Sequence, residues 1–212
     1  MRKTICVSCL TVAAAMAASA TDETTERIQK ARSVLTAMTD SKHSIPADKL
    51  AAADCVAVIP GFKKGAAGIG FGFGKGFISC RTASGWSAPG AIAFQTESLG
   101  AQFGGEEIDI VILSLDKTRR AKLLSDRFTV GEDASAAWDN GKSAHGDPNA
   151  KVLFYGRTKG VFAGFGLDGA TLKPDASGDK TLYGKAITNA EVVKDGVETP
   201  AAAQPLIAIL PR

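Results

Sequence analysis

The apolar positions along the chain fall into three regimes. Behind Met1-Arg2-Lys3, Thr4 to Ala17 is almost unbroken apolar sequence, and it ends at Ala18-Ser19-Ala20 ahead of Thr21-Asp22-Glu23. A positive start, a brief apolar stretch and a small-x-small triplet predict a secretory signal peptide over residues 1–20, cut after Ala20. The run is too short for a spanning helix. From Glu23 to Met38 the period changes. Ile28, Ala31, Val34, Leu35 and Met38 recur at spacings of three and four, which predicts an amphipathic helix with Arg27, Lys30 and Arg32 among its polar positions. Two uses are open for it: packing one face on the body of the protein, or lying basic side out on a membrane surface, for which its apolar face is modest. Pro46 suits the start of a second, short helix reaching Asp54.

The pattern then shortens to that of strands. Cys55 to Pro60 is an apolar run closed by Pro60-Gly61, which predicts a buried strand entering a turn. In Gly65 to Gly76, Ile69, Phe71 and Phe73 alternate with Gly68, Gly70, Gly72 and Gly74, placing bulky groups on one strand face and bare backbone on the other. A bare face permits strong bending or the close approach of another element. Further strands are predicted at Gly76–Arg81, Trp86–Thr96, Gly100–Gly104, Ile108–Leu113, Phe128–Gly131, Ala134–Trp138, Lys151–Gly156 and Gly160–Leu167. Between them, Ser114 reads as the N-cap of a short helix to Leu124, with Asp116 in its first turn. That helix carries Lys117, Arg119, Arg120 and Lys122, as a solvated face or as a contact for phosphate or an acidic headgroup. The end of the chain, apolar from Leu206 to Leu210, either docks or frays.

Composition sharpens this division. All 23 glycines lie from Gly61 onward. The expected architecture is therefore α+β, with N-terminal helices packed on a strongly bent, Gly-rich antiparallel sheet or barrel, as one domain over residues 21–212. The formal charge is +3, of which Arg2 and Lys3 leave with the leader. A balance so near neutral excludes a general nucleic-acid binder. The mature chain keeps two cysteines, Cys55 and Cys80. In an oxidising compartment they form a disulfide or stay as two separate buried thiols; sequence leaves both open.

The search for chemistry returns little. His43 and His145 stand in polar, loop-like contexts, and no His/Cys/Asp/Glu cluster has metal-ligand spacing, so no metal or cofactor is expected. The glycine run fails both the Gly-x-Gly-x-x-Gly and the P-loop patterns. Ser87, in Gly85-Trp86-Ser87-Ala88-Pro89-Gly90, lacks the second glycine of a nucleophile elbow, so the segment reads as a turn with a buried Trp. Glu107 and Asp109 alternate with Ile108 and Ile110 and read as a solvated face beside Glu106. Asp175 and Asp179 flank a Ser-Gly turn without the spacing of a calcium loop. No catalytic equipment is visible, and an enzyme is not expected.

The order of motifs nevertheless resembles one family. Ala57-Val58-Ile59-Pro60 precedes a Lys-Gly and the Gly-rich strand, Gly85-Trp86-Ser87-Ala88-Pro89 follows, and then Gly100-Ala101-Gln102-Phe103-Gly104-Gly105. Ile108–Leu113, Gly131-Glu132-Asp133-Ala134-Ser135 and Tyr155-Gly156-Arg157-Thr158-Lys159-Gly160-Val161-Phe162-Ala163-Gly164 complete a series that is similar to the SYLF domain over roughly residues 27–195. The resemblance implies a lipid-binding domain. Eukaryotic members bind phosphoinositides, and some bind and bundle actin; bacterial members are exported. A non-enzymatic, membrane-peripheral protein of the bacterial envelope, periplasmic or secreted, is the expectation. Its partner would be anionic membrane lipid, met by headgroup or by acyl chain. The alternative is a structural or interaction protein of the envelope that meets another protein. In relatives a basic N-terminal helix contributes to lipid binding, which points here to Arg27, Lys30 and Arg32, with Lys63 and Lys64 as nearby basic residues. The chain departs from the family pattern at Trp138-Asp139-Asn140-Gly141 and at Tyr155-Gly156-Arg157.

Overall fold

The computed structural model describes residues 8–40, 45–129, 134–138, 143–145, 150–158 and 169–212. Helix α1 (Ser8–Asp40) and the short α2 (Ala47–Ala52) lead into an eight-stranded sheet. Two of its strands dominate: β1 (Cys55–Thr82), 28 residues, and β3 (Gly90–Ser114), 25 residues, joined through β2 (Gly85–Trp86). They pair antiparallel from Cys55↔Ser114 to Ile78↔Gly90. The separate strands that glycine and proline suggested along these stretches are segments of this one ribbon. Pro60-Gly61 makes no turn. The register slips between Ile59 and Phe62, so the pair is a β-bulge that bends the strand without ending it.

The ribbon curls until β1 meets itself. Cys55 and Cys80 are joined by a disulfide, and Arg81 N–H donates to Asp54 O at 2.7 Å. Glycine makes that closure possible. A Cβ on Gly76 would lie 2.0 Å from Val58 O, one on Gly74 would lie 2.7 Å from Ile59 Cγ2, and one on Gly72 would lie 2.2 Å from Phe62 Cζ. Only bare backbone fits against the start of the same strand. The alternation of Phe and Gly in the sequence is therefore a packing face as well as a bending device.

The two ends of β3 recruit different partners. Its C-terminal part pairs with β7 (Val152–Thr158), and its N-terminal part pairs with β8 (Thr171–Pro174), which also holds β4 (Phe128–Thr129). Beyond β7 lie β5 (Ala134–Trp138) and β6 (Ser143–His145). The β5/β7 pair is parallel within an otherwise antiparallel sheet. His145 falls in β6 and not in a loop.

Alternation along β1 separates two cores. Cys55, Ala57 and Ile59 point into the curl with Phe62, Phe94, Ile110 and Phe154. Val56 and Val58 point out, against Ile28, Ala31, Val34, Leu35 and Met38 of α1. The amphipathic face read from the sequence is thus spent on the protein body. The chain end docks on this same layer: Ala203, Leu206 and Leu210 are buried around α6 (Gln204–Ile207), and Trp86 Nε1 donates to Pro211 O at 2.7 Å. Trp86 itself is only half-buried, under Arg81, whose guanidinium lies 4.3 Å from the ring centre.

Three further differences have local causes. Ser114 ends β3, and the cap is Asp116, whose carboxylate accepts from Thr118 N–H before a 3-10 turn (Lys117–Arg119) and α3 (Arg120–Leu123). Arg120 is not a free basic residue, because it forms an ion pair with buried Asp54. The sequence reading passed over β8, α4 (Ala176–Tyr183) and α5 (Asn189–Val192). The strand Gly160–Leu167, the motif residues Gly131–Asp133, the departure at Asp139–Gly141 and His43 lie outside the described residues.

The closure generates a paired prediction. Gly76→Ala should lower stability by about 3 kcal/mol or prevent folding, since backbone of Val58 and Ile59 stands where the methyl must go. Gly65→Ala, with nothing within 4 Å of its Cβ position, should leave the chemical denaturation midpoint nearly unchanged. Equal effects at the two sites would contradict the closure.

Candidate functional site

The bulge decides where charge gathers. Pro60 and Gly61 together face the register position of Asp109, and Gly61 adopts φ +59°, a left-handed conformation that suits glycine. Its N–H leaves the ladder and donates to Asp109 Oδ1 at 3.0 Å. The other oxygen, Oδ2, accepts from Arg157 Nη2 at 2.7 Å, and Arg157 is the residue directly opposite across β3/β7. Asp109 is only 1% exposed. The solvated Glu107/Asp109 face expected from alternation is therefore corrected: α1 covers this side of the ribbon, and Asp109 is a buried anchor that binds the Arg157 guanidinium and the Gly61 N–H. Removing Arg157 would take a charged partner from that buried carboxylate.

Between α1 and the bulge lies an open cleft of about 790 Å³, lined by Lys30, Lys63, Glu107 and Arg157 among others. A shallower cleft of about 290 Å³ shares Lys30 and Lys63 and extends to Arg27, Phe73 and Lys75. The structure thus brings three of the five predicted basic residues, Arg27, Lys30 and Lys63, to one groove.

Their situations differ. Arg27 bonds Glu23 Oε1 at 2.7 Å and stands 3.9 Å from Asp175 Oδ2, with a side chain only 13% exposed, so it ties α1 to α4. Lys30 is exposed and pairs with Glu26 at 2.7 Å, one turn back. That hydrogen bond and charge raise the Lys30 ammonium above its ordinary pKa and hold the Glu26 carboxyl below its own. An exposed pair of this kind is weak and screened, so an incoming anion competes for the lysine. Lys63 is exposed, and no ion pair of it occurs among the described residues. Arg32 is exposed but lines neither cleft. Lys64, one residue along the strand from Lys63, faces the other way and is buried.

Behind the groove is a polar cluster at the Ser-Gly turn that Asp175 and Asp179 flank. Asp175 accepts from Lys75 Nζ at 2.8 Å and from Ser177 Oγ at 2.7 Å. Burial pushes its carboxyl up, but these contacts outweigh it and hold the group below the ordinary range. Asp179 is fully buried, and Oδ1 accepts from Ala91 N–H at 2.7 Å. Burial, with the nearby Asp175 charge, pushes its pKa up to about 7 against that hydrogen bond. Asn189 Nδ2 donates to Ala91 O at 3.1 Å, and Tyr183 Oη donates to Pro89 O at 2.7 Å, so the cluster fixes α4 and α5 onto the start of β3. Local sequence could not show this burial, which comes from strands some ninety residues earlier.

Other polar candidates are committed to structure. Ser87 is buried, and its Oγ accepts from Cys80 N–H at 3.1 Å. Among the described residues no group of three or more His, Cys, Asp or Glu could hold a metal ion.

Asp179 yields a pH prediction. Its folded pKa lies above its unfolded one, so its contribution to stability is fully present below about pH 4 and is lost as pH rises through about 7. Thermal melts should show wild type losing stability relative to Asp179→Asn across that window. A difference independent of pH would contradict the buried, neutral carboxyl.

The Ysc84 family, described as "Las17-binding protein actin regulator", matches residues 95–212. An SH3 domain-containing protein of Schizosaccharomyces pombe is 36% identical over 148 residues, covering 65% of this chain and 34% of its own length. Protein YSC84 of Saccharomyces cerevisiae is 32% identical over 146 residues, 65% of this chain and 31% of the relative. SH3 domain-containing YSC84-like protein 1 of Rattus norvegicus is 31% identical over 173 residues, 78% of this chain and 51% of the relative. The chain thus spans about a third to a half of the length of these relatives. No solved structure matches. The family match takes in β3 from Gln95 and every element after it, and with it the chain belongs to the Ysc84 family of SYLF-domain proteins.

Proposed function

We propose that this protein is a non-enzymatic, membrane-peripheral lipid binder that works in a bacterial envelope after export. The observation that carries the reading is the meeting of Lys30, from α1, and Lys63, from β1, in one open groove beside the bulge. Both are exposed, Lys30 is held only by an exposed pair, and neither is needed to neutralise a buried acid. Two cations presented this way suit anionic lipid headgroups. Arg27 and Lys75 support the groove from behind, through Asp175, and are structural in this account. Arg32 and Lys64 drop out of the contact.

Membership of the family supports the reading without supplying its ligand. The name of one Saccharomyces cerevisiae relative, LAS seventeen-binding protein 3, records binding to Las17, and the stretch matched here is 38% of its length. An exported protein would not meet such a partner, so affinity for a lipid surface is what we carry across. The export itself rests on the leader. Cleavage after Ala20 would leave intact every residue of α1 known to be buried, the first of which is Thr24.

Two measurements follow. N-terminal sequencing of the protein recovered from the envelope fraction of an expressing bacterium should begin at Thr21; an N-terminus at Met1 would remove the export reading. Co-sedimentation with phosphatidylcholine vesicles containing phosphatidylglycerol should show binding that pure phosphatidylcholine does not support. Lys30→Ala with Lys63→Ala should weaken it roughly 30-fold with the fold unchanged. Absence of binding to either vesicle would overturn the lipid reading in favour of an envelope protein partner.

A further inference from the structure

The outward face of β1 is one stripe of alternate residues, Phe71, Phe73, Lys75 and Phe77, and its cover runs out part-way. Phe77 is buried among the side chains of α1. Lys75 reaches Asp175. Phe73 and Phe71, further along the same stripe, are 46% and 58% exposed and are the exposed large apolar residues among those described.

Their exposure is imposed by the fold. The opposite face of this segment carries Gly72 and Gly74, and both are seated where no side chain fits, against Phe62, Ile59 and Thr96. Turning the strand over, or slipping it by one residue, would drive a phenyl ring into the space where even a methyl group is excluded. The two rings are held outward about 7 Å apart, on a strand whose backbone has no freedom to withdraw them.

Charge identifies what they meet. Phe73 lines the same shallow cleft as Lys30, Lys63 and Lys75. An apolar edge beside exposed ammonium groups matches a bilayer with anionic headgroups, where rings enter the acyl boundary while lysines stay at headgroup level. We propose that Phe71 and Phe73 form a membrane-inserting edge, fixed by the glycine face behind them and docked by Lys30 and Lys63. This inference rests on the lipid reading above and adds to it the apolar half of the contact.

The test uses the full chain as purified, with vesicles of phosphatidylcholine and phosphatidylglycerol. Wild type should remain bound in part at 1 M salt, where headgroup attraction alone is screened. Phe71→Ser with Phe73→Ser should keep the wild-type melting profile and salt-sensitive association, and lose at least tenfold in binding at 1 M salt. Phe71→Trp and Phe73→Trp should each add blue-shifted emission on vesicles, relative to the wild-type background, quenched by acyl-brominated lipid. If wild type binds and the double serine variant binds equally at both salts, with the added Trp emission unshifted, the inserting edge is wrong and the lipid reading survives. A double variant that changes only self-association overturns it in favour of a second copy of the chain. If wild type binds no vesicle, both readings fall together.

Discussion

The structure depends on a contact that one strand makes with itself. β1 leaves at Cys55, curls through the bulge at Pro60-Gly61, and returns so that Gly72, Gly74 and Gly76 press against Val58, Ile59 and Phe62. Side chains at those three positions would hold the two limbs apart by more than the packing of a core allows. With the limbs closed, Cys55 and Cys80 fall within bonding reach, and the disulfide spans 25 residues. On the chain-entropy account such a loop contributes roughly 3 kcal/mol. The bond secures a closure that the glycines have already made possible.

Everything at the candidate site is downstream of that curl. A flat ribbon would leave Val56, Val58 and Phe77 in water; the curled one offers them as a convex seat that α1 and the chain end cover. The bulge that helps the ribbon bend also frees the Gly61 N–H and turns Asp109 into a buried anchor shared with Arg157. The edge of α1 is thereby set beside Lys63, and the groove opens between them. The face of β1 that cannot be covered from inside carries its phenyl rings outward. Closure, groove and exposed edge are three results of one arrangement of glycines.

Much of this was legible in the sequence, and the limits were physical. The period of Ile28, Ala31, Val34, Leu35 and Met38 located the later part of α1 and its buried face correctly, because helical periodicity is local, while the helix itself begins at Ser8. The alternation from Gly68 to Gly74 identified a face that had to bend or be approached, without saying by what. Pro60-Gly61 was misread as a turn, since a bulge and a turn use the same residues and differ in whether the partner strand continues. Asp109 was misread as solvated, and the burial of Asp175 and Asp179 went unread, for a shared reason: the groups that bury them lie far away in the chain. Two signals were present and unused. Thr188 and Glu191 have capping-box spacing, which forms at α5, and Gly184 ends α4 in a left-handed conformation. Of the five predicted basic residues, strand alternation alone separates Lys63 from Lys64, and helical spacing separates Lys30 from Arg32.

The central claim is that one face of this molecule, built from the exposed edge of α1 and the outer limb of β1, meets an anionic lipid surface. Hydrogen–deuterium exchange with and without phosphatidylglycerol-containing vesicles reads this directly along the whole chain. The account predicts slowed exchange confined to residues 23–34 and 60–75. Slowed exchange over 117–124 and 190–195 instead, on the cleft lined by Lys117, Lys194 and Asp195, would contradict it.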